Sequence, residues 1–472
     1  MCGRFVQRKG LSRESGVRHR PYVLVVASAV LAFLLIPALL SVFNIANLML
    51  SHVDPELYAS LQSGGRAIAY VVGFKPVSGL KRWVFGDIII TKTVLDFDTL
   101  LRLANDPAIV SIYGEKTMKH APIHFLNASE YPFKDVDIDN KFHMATGPWT
   151  GRGVVVAIID TGIDYTHPDF YDSQNKTVIK VLVSTIYERK GRPIVWIPYV
   201  NGTMEELLKF DNYFWKKYGE PAFLDICGHG THVAGIVAGR GRASNGKYLG
   251  IAPGVELVIV KAFNANGTAS LEQCLDALEW VYENAEKYKI KILSLSWGAP
   301  FASDGTDPLS IAVDAIATDK DVWVFAAAGN EGNIPTTITV PAVAHYAWAV
   351  GAWDPYYDRL APFSSLGPTI DLRVKPDLIG AGVMIVSCKS QYVDFPDDYE
   401  VNNYYVALSG TSMATPAVAG TAATFIEYYR YWHGKDPTRK DFITWVLLNG
   451  RKINPITKDF ITGWGIPLAP HT

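Results

Sequence analysis

The chain has 472 residues, of which 49% are hydrophobic and 19% charged, with a formal net charge of −2. That length exceeds one comfortable hydrophobic core, so two or three folding units are expected. A balance this close to neutral spreads no basic field, and nucleic acid is not expected as a partner.

The first 21 residues are basic, with Arg4, Arg8, Lys9, Arg13, Arg18 and Arg20 against Glu14 alone. From Pro21 to Val53 there is no Asp, Glu, Lys or Arg, and residues 22–43 are the most apolar part. As a helix that part spans a hydrocarbon layer about 30 Å thick. Two readings stand: a single-pass anchor with its amino end in the cytoplasm, or a cleavable signal, whose apolar region ordinarily runs about 7–15 residues. The greater length, and the lack of a clear A-x-A-like site, favour the anchor. Either one puts the rest of the chain outside the cytoplasm, at the extracellular face of the membrane or secreted after processing. Cys227, Cys274 and Cys388 lie in that exported part, enough for at most one internal disulfide. Sequons at Asn127, Asn175, Asn201 and Asn266 are permissive for glycosylation.

Residues 55–118 read as a small α+β unit. Ala67–Gly73, Asp87–Lys92 and Ala108–Tyr113 have strand patterns, and Phe97–Ala104 an amphipathic helical one. Residues 119–150 lack periodicity and read as a linker. From Gly151 the pattern becomes α/β. Apolar runs at Val154–Ile159, Val255–Val260, Ile290–Leu295 and Val322–Ala328 resemble buried parallel strands. Helical patterns at Leu271–Tyr288 and Pro308–Thr318 lie between them, as βαβ units require. Open parallel sheets place functional groups beyond the carboxyl ends of their strands, where Asp160 falls.

Three segments hold groups suited to nucleophilic catalysis: Asp160-Thr161-Gly162, Gly228-His229-Gly230-Thr231-His232 and Gly410-Thr411-Ser412-Met413-Ala414-Thr415-Pro416. A serine hydroxyl attacks well only when a base takes its proton and donors hold the oxyanion. Ser412 sits in a small-residue turn ahead of a helical pattern at Ala417–Tyr429, where a plain helix cap is the competing reading. The order Asp, His, Ser is one of the known orders of the serine triad. Together the segments resemble the active-site signatures of the subtilisin-like serine proteases. Ala326-Ala327-Ala328-Gly329-Asn330-Glu331-Gly332 is similar to the family's oxyanion-hole segment, and Ser294-Leu295-Ser296-Trp297-Gly298 to the strand that pairs with substrate backbone.

The resemblance implies an α/β fold, subtilisin-like and three-layered with a mostly parallel central sheet, over residues 151–469. It implies a serine endopeptidase with Ser412 as nucleophile, His229 as base, Asp160 orienting it, and Asn330 in the oxyanion hole. Ser296, Trp297, Gly298, Ala328 and Gly329 would bind substrate, with Thr339 near the wall of the first specificity pocket and Glu331 at its rim. Residues 55–118 resemble the family's inhibitory propeptide, with maturation expected between Lys119 and Thr150. The expected partners are polypeptide substrates, the chain's own propeptide, and a membrane through residues 22–43. No cofactor is needed for the chemistry; structural calcium is compatible with the family, but the loop acids Asp394, Asp397 and Asp398 have no EF-hand spacing. Asp164 reads as a turn or capping group. His232, three residues after His229, lacks the HExxH pattern of a zinc protease. Cys227 is either a small buried residue or a thiolate activated beside the imidazole. Asp160 and His229 stand 69 positions apart, about twice the spacing in compact family members. The extra residues, 171–223, form a substrate-contacting hairpin, bind calcium, or pack on the flank.

Overall fold

The computed structural model describes residues 51–120, 148–454 and 457–471. The basic segment 1–21, the apolar stretch 22–43 and most of the expected linker lie outside the described residues. Among the described residues no helix is long and apolar enough to cross a membrane.

Helix α1 (Pro55–Gln62) starts where the Asp54 carboxylate accepts from Glu56 N at 3.0 Å, with proline at its first position. Strands β1 (Ala67–Gly73), β2 (Lys81–Phe85), β3 (Ile88–Leu95) and β4 (Ile109–Gly114) form an antiparallel sheet in the order β2-β3-β1-β4. Helix α2 (Phe97–Ala104) precedes β4 and buries Leu100, Leu103 and Ala104. Neither α1 nor β2 stood out in the sequence. Strand β5 (Thr117–His120) then leaves this sheet, so residues 119 and 120, read as linker, are part of a strand.

The main sheet is built from β6 (Val155–Asp160), β7 (Ile179–Glu188), β8 (Pro193–Trp196), β9 (Glu256–Lys261) and, after the short β10 (Thr268–Ser270), β11 (Ile290–Leu295). Past the two-residue β12 (Trp297–Gly298), it continues with β13 (Trp323–Ala327), β14 (Trp348–Asp354), β15 (Arg359–Leu360) and β16 (Leu378–Ala381). The order is β15-β14-β13-β11-β6-β9-β7-β8, with β16 beside β14. All pairings are parallel except those of β8 and β15.

The apolar runs are continuous because each strand feeds two cores. Val155, Ala157 and Ile159 face one side with Val258 and Val260, packed against α5 (Leu271–Tyr288) and α6 (Pro308–Asp319). Val156, Ile158, Leu257 and Ile259 face the other side. There they meet α4 (His229–Ala238), α7 (Thr411–His433) and α8 (Arg439–Asn449). The result is three layers, helix, sheet and helix, and each large side chain so buried contributes about 1.5–3 kcal/mol. The β1–β4 sheet continues the first core: Tyr70, Val72, Trp83, Phe85 and Ile90 join the cluster that includes Leu275 and Leu278 of α5.

Strand β6 is central. The chain leaves it for β7, returns to β9 between them, and then builds outward from β11 on the other side. The crevice at that reversal is where Asp160 ends its strand. In the 171–223 insertion, β7 and β8 extend the sheet edge and α3 (Met204–Tyr218) covers it. Its aromatic rings pack against one another at tilted angles, Phe210 on Phe214 at 4.8 Å and Tyr187 on Phe214 at 4.8 Å.

Candidate active site

Asp160 is the last residue of β6, and its Oδ1 accepts from Thr161 N at 2.8 Å. The same oxygen lies 2.7 Å from His229 Nδ1. His229 opens α4 behind Gly228, which has no side chain to cap the helix. Asp225 does that work instead. Its carboxylate accepts from Cys227 N, Gly228 N and Thr231 N at 3.0, 2.8 and 2.8 Å, and from Thr231 Oγ1 at 2.7 Å. It also accepts from Thr161 Oγ1 at 2.9 Å, which ties the helix start to the turn after Asp160. Gly230 has to be glycine: a Cβ there would stand 2.3 Å from Gly162 O and 3.2 Å from Asp160 Oδ1.

Ser412 is the second residue of α7, so the helix begins six residues before the pattern at Ala417 suggested. The helix cap position is Gly410, and Ser412 caps nothing. Pro416 inside this helix has no N–H to offer the Ser412 carbonyl four residues back. Ser296 Oγ supplies the missing donor at 3.0 Å, and Ser412 Oγ donates in return to Ser296 O at 2.8 Å. These reciprocal bonds fasten the end of β11 to the start of α7. Helix α4, which begins at His229, and helix α7, which carries Ser412 in its first turn, pack against each other.

Asn330 follows β13. Its Oδ1 accepts from Thr411 N and Thr411 Oγ1, both at 2.9 Å, which fixes Nδ2 as the donor end of the amide. Gly329 adopts φ +113°, and a Cβ there would meet Thr339 Cγ2 at 2.6 Å and Ser365 Oγ at 2.7 Å. Thr339 is buried and bonds to the carbonyls of Ala327 and Ala328 at 3.3 Å, so it closes the wall between Gly298 and Gly329. Trp297 belongs to the site by its backbone only. Its side chain is buried, donates from Nε1 to Ile159 O at 2.9 Å and packs on Phe263. Glu331 is exposed at the edge of a cavity of about 390 Å³ that Phe301, Ile334 and Ile338 also line.

Strand β5 occupies the rim. It pairs antiparallel with β10, Met118 opposite Ala269, and with β12, Lys119 opposite Gly298 and His120 opposite Trp297. The backbone edge expected to take substrate is therefore paired with the chain itself.

The other sequence candidates separate cleanly. His232 is fully buried, with Nε2 at 3.0 Å from Ile385 O and 3.1 Å from Val406 O. Burial, then the charge of His229, lower its pKa to about 3, so it is a neutral donor that ties α4 to the β17 (Ile385–Cys388) and β18 (Tyr405–Leu408) pair. Asp164 caps the following turn, accepting from Thr166 N at 2.9 Å and from Gln391 N at 2.9 Å. Burial, then Asp225, push the Cys227 thiol up to about 12, so it is neutral near pH 7. Among the described residues the grouping with metal-ligand atoms is His167, Asp169 and Cys388. A thiol and an imidazole suit calcium poorly. The Asp169 carboxylate already accepts from Gly241 N at 3.1 Å, Ala243 N at 2.9 Å and Tyr405 Oη at 2.8 Å.

Serine protease AprX of Bacillus subtilis (strain 168) is 35% identical over 293 residues, 59% of this chain and 58% of that protein. Subtilisin Savinase of Lederbergia lenta is 35% identical over 274 residues, 58% of this chain and 76% of its own length. The chain thus spans little more than half of AprX. Among solved structures, the Clostridium perfringens CspB protease superposes with a TM-score of 0.55 at 19% identity, over 68% of this chain and 94% of that one. A psychrophilic protease designated S41 gives 0.53 at 24% identity, over 71% and 97%. At those identities they speak for the fold alone. The Subtilase family model matches residues 151–465, and with the three-layer fold around Asp160, His229 and Ser412 already in place, the chain belongs to the subtilase family of serine proteases.

Proposed function

We propose that this protein is an exported serine endopeptidase that cleaves peptide bonds through Asp160, His229 and Ser412. The observation that carries the reading is the 2.7 Å contact of Asp160 with His229 Nδ1, at the start of a helix packed against the one that carries Ser412. With Nδ1 facing Asp160, Nε2 is the ring nitrogen left to act as base. In the reaction the Ser412 hydroxyl turns from Ser296 O to His229, loses its proton and attacks the scissile carbonyl. Asp160 stabilises the imidazolium that forms. The oxyanion is held by Asn330 Nδ2 and Ser412 N–H, the latter in a first helical turn whose donors lack intrahelical partners. His229 returns the proton to the leaving amine, and water, deprotonated by the same imidazole, releases the acyl group.

Residues 55–118 act in this reading as the inhibitory part of a self-processing zymogen. Support comes from β5, seated between β10 and β12 as an extended peptide would be. Further support comes from the β1–β4 sheet, docked on α5 through Trp83 Nε1, which donates to Asp276 Oδ1 at 2.7 Å. Cleavage between Lys119 and Thr150 separates the protease from the apolar segment 22–43.

A fluorophosphonate probe tests the chemistry. The purified protein is expected to be labelled at Ser412, and Ser412→Ala to be unlabelled and inactive on peptides; equal labelling of both refutes the assignment. Amino-terminal sequencing of the active species tests maturation, and an active protease that keeps residues 55–118 attached rules the zymogen out.

A further inference from the structure

Lys261 ends β9 as Asp160 ends β6, and the two are register partners in the sheet. The lysine is 0% exposed. A buried ammonium is costly unless it is paired and hydrogen-bonded. Its Nζ donates to Thr161 O at 2.6 Å and stands 2.9 Å from Glu220 Oε1, an ion pair without hydrogen-bond alignment. Glu220 lies just after α3, in the insertion, and is itself fastened: Ala265 N donates to Oε2 at 2.9 Å and Tyr187 Oη to its backbone O at 2.8 Å. Asp211 of α3 acts alongside, accepting from Phe223 N at 3.0 Å and Leu224 N at 2.8 Å, just ahead of Asp225. Asp160 needs the help. Its Oδ1 takes both Thr161 N and His229, while Oδ2 is buried without a hydrogen-bond partner among the described residues.

We propose that the Lys261–Glu220 pair is a positioning element for catalysis: Lys261 anchors the turn after Asp160 and offsets its charge, and Glu220 balances that cation. The insertion thereby acts on the reaction. The inference rests on the reading of Asp160 and His229 as triad members. The titratable groups around the pair are Lys261 and Glu220, Asp225 and Cys227 ahead of α4, His232 within it, and Asp211 on α3. Asp225 is committed to five donors and Asp211 to three, Tyr165 Oη, Phe223 N and Leu224 N, while Cys227, His232 and the Tyr187 hydroxyl bonded to Glu220 O are neutral near pH 7, so Lys261 and Glu220 are the charges that can be varied apart.

The test is the pH profile of fluorophosphonate labelling of Ser412, with kcat/KM on a peptide beside it, in wild type, Glu220→Gln and Lys261→Met. Glu220→Gln leaves the cation unbalanced, which disfavours the imidazolium and moves the acid limb to lower pH by about 0.5–1 unit. Lys261→Met removes the cation and moves the limb upward by a similar amount. Opposite displacements are not produced by loosened packing. Limbs that superimpose on wild type, or that move in the same direction, overturn the proposal. Should Lys261→Met fail to fold, Glu220→Gln decides alone, since it is isosteric, and an unmoved limb counts against the idea. An unlabelled Ser412 in wild type would instead remove the peptidase reading itself.

Discussion

Glu279 of α5 provides a pH-dependent hold on the β1–β4 sheet. Its Oε1 accepts from Val84 N at 2.8 Å, so the carboxyl lies in the contact between β2 and α5. Burial there, opposed by the Val84 N–H and reinforced by the charges of Glu283 and Asp276, pushes its pKa from the ordinary 4.5 up to about 7. The docked state holds the proton more tightly than an undocked α5 would. Its contribution to docking is therefore complete below about pH 4.5 and is lost as pH rises through about 7. Taken at face value the difference is about 3 kcal/mol at ~1.36 kcal/mol per pH unit. Glu279 is only half-buried, so solvent screening reduces that to about 1–2 kcal/mol. Neighbouring groups leave the sign intact. Burial raises Asp276 in the same direction. Burial of Glu272 is outweighed by Lys92 and Lys81, which lower it, so it changes charge below the window in question. The assay is hydrogen exchange of the β2 amides in full-length Ser412→Ala protein, at pH 5 and pH 8, with intrinsic rates corrected. Protection at Val84 is expected to fall by about tenfold more than in Glu279→Gln as pH rises. An identical pH dependence in the two proteins refutes the argument.

Other consequences follow from single contacts. Trp297→Ala is expected to cost about 3–5 kcal/mol of stability, because the ring is core, and to leave substrate preference unchanged; denaturant unfolding beside a peptide panel measures both. Cys227→Ser is expected to retain turnover within about twofold, and the wild-type thiol to react slowly with mercurials at pH 7, as a neutral thiol does. Fast modification with loss of activity would show a thiolate instead. Ser296→Ala removes the donor that replaces the missing Pro416 N–H, leaving a buried carbonyl unpaired at a cost of about 1–3 kcal/mol. Adding Pro416→Ala restores a helical donor and is expected to recover part of that loss, read as a coupling energy in a double-mutant cycle.

What the sequence disclosed was local. Val155–Asp160 and Ile290–Leu295 stand out because strands that feed two cores are apolar without interruption. The catalytic candidates stand out because each lies among small residues that permit close approach. Short alternating strands are less visible: Lys81-Arg82-Trp83-Val84-Phe85 is too brief, and begins too polar, to mark β2. The start of α7 was hidden because Gly410 offers no side-chain cap and Pro416 looks like a boundary. Asp225 did not stand out because it serves the start of α4 from three residues ahead of the N-cap position, which Gly228 occupies, rather than from that position itself. The Lys261–Glu220 pair was not visible. It exists only through the pairing of β6 with β9 and the placement of α3, and a lysine ending a strand normally reaches solvent.

The places where local rules fail are the places where the site is joined together. Proline inside α7 leaves the Ser412 carbonyl without a helical donor, and the repair comes from Ser296 across the sheet. Glycine at the start of α4 leaves first-turn donors open, and Asp225 satisfies them from outside the helix. The buried Asp160 Oδ2 has no hydrogen-bond partner among the described residues, and the turn after Asp160 is held by a lysine that is paired with Glu220 of the insertion. Two of the three compensating groups, Ser296 and Lys261, come from distant segments of the chain, so those two contacts form only once β6, β9, β11 and α7 have met. Local sequence alone would favour none of these arrangements; the completed fold favours all of them together. A site joined by such contacts is held in place by the packed fold, which suits the proposed reaction, whose transition state is stabilised by fixed donors rather than by groups that must reorganise.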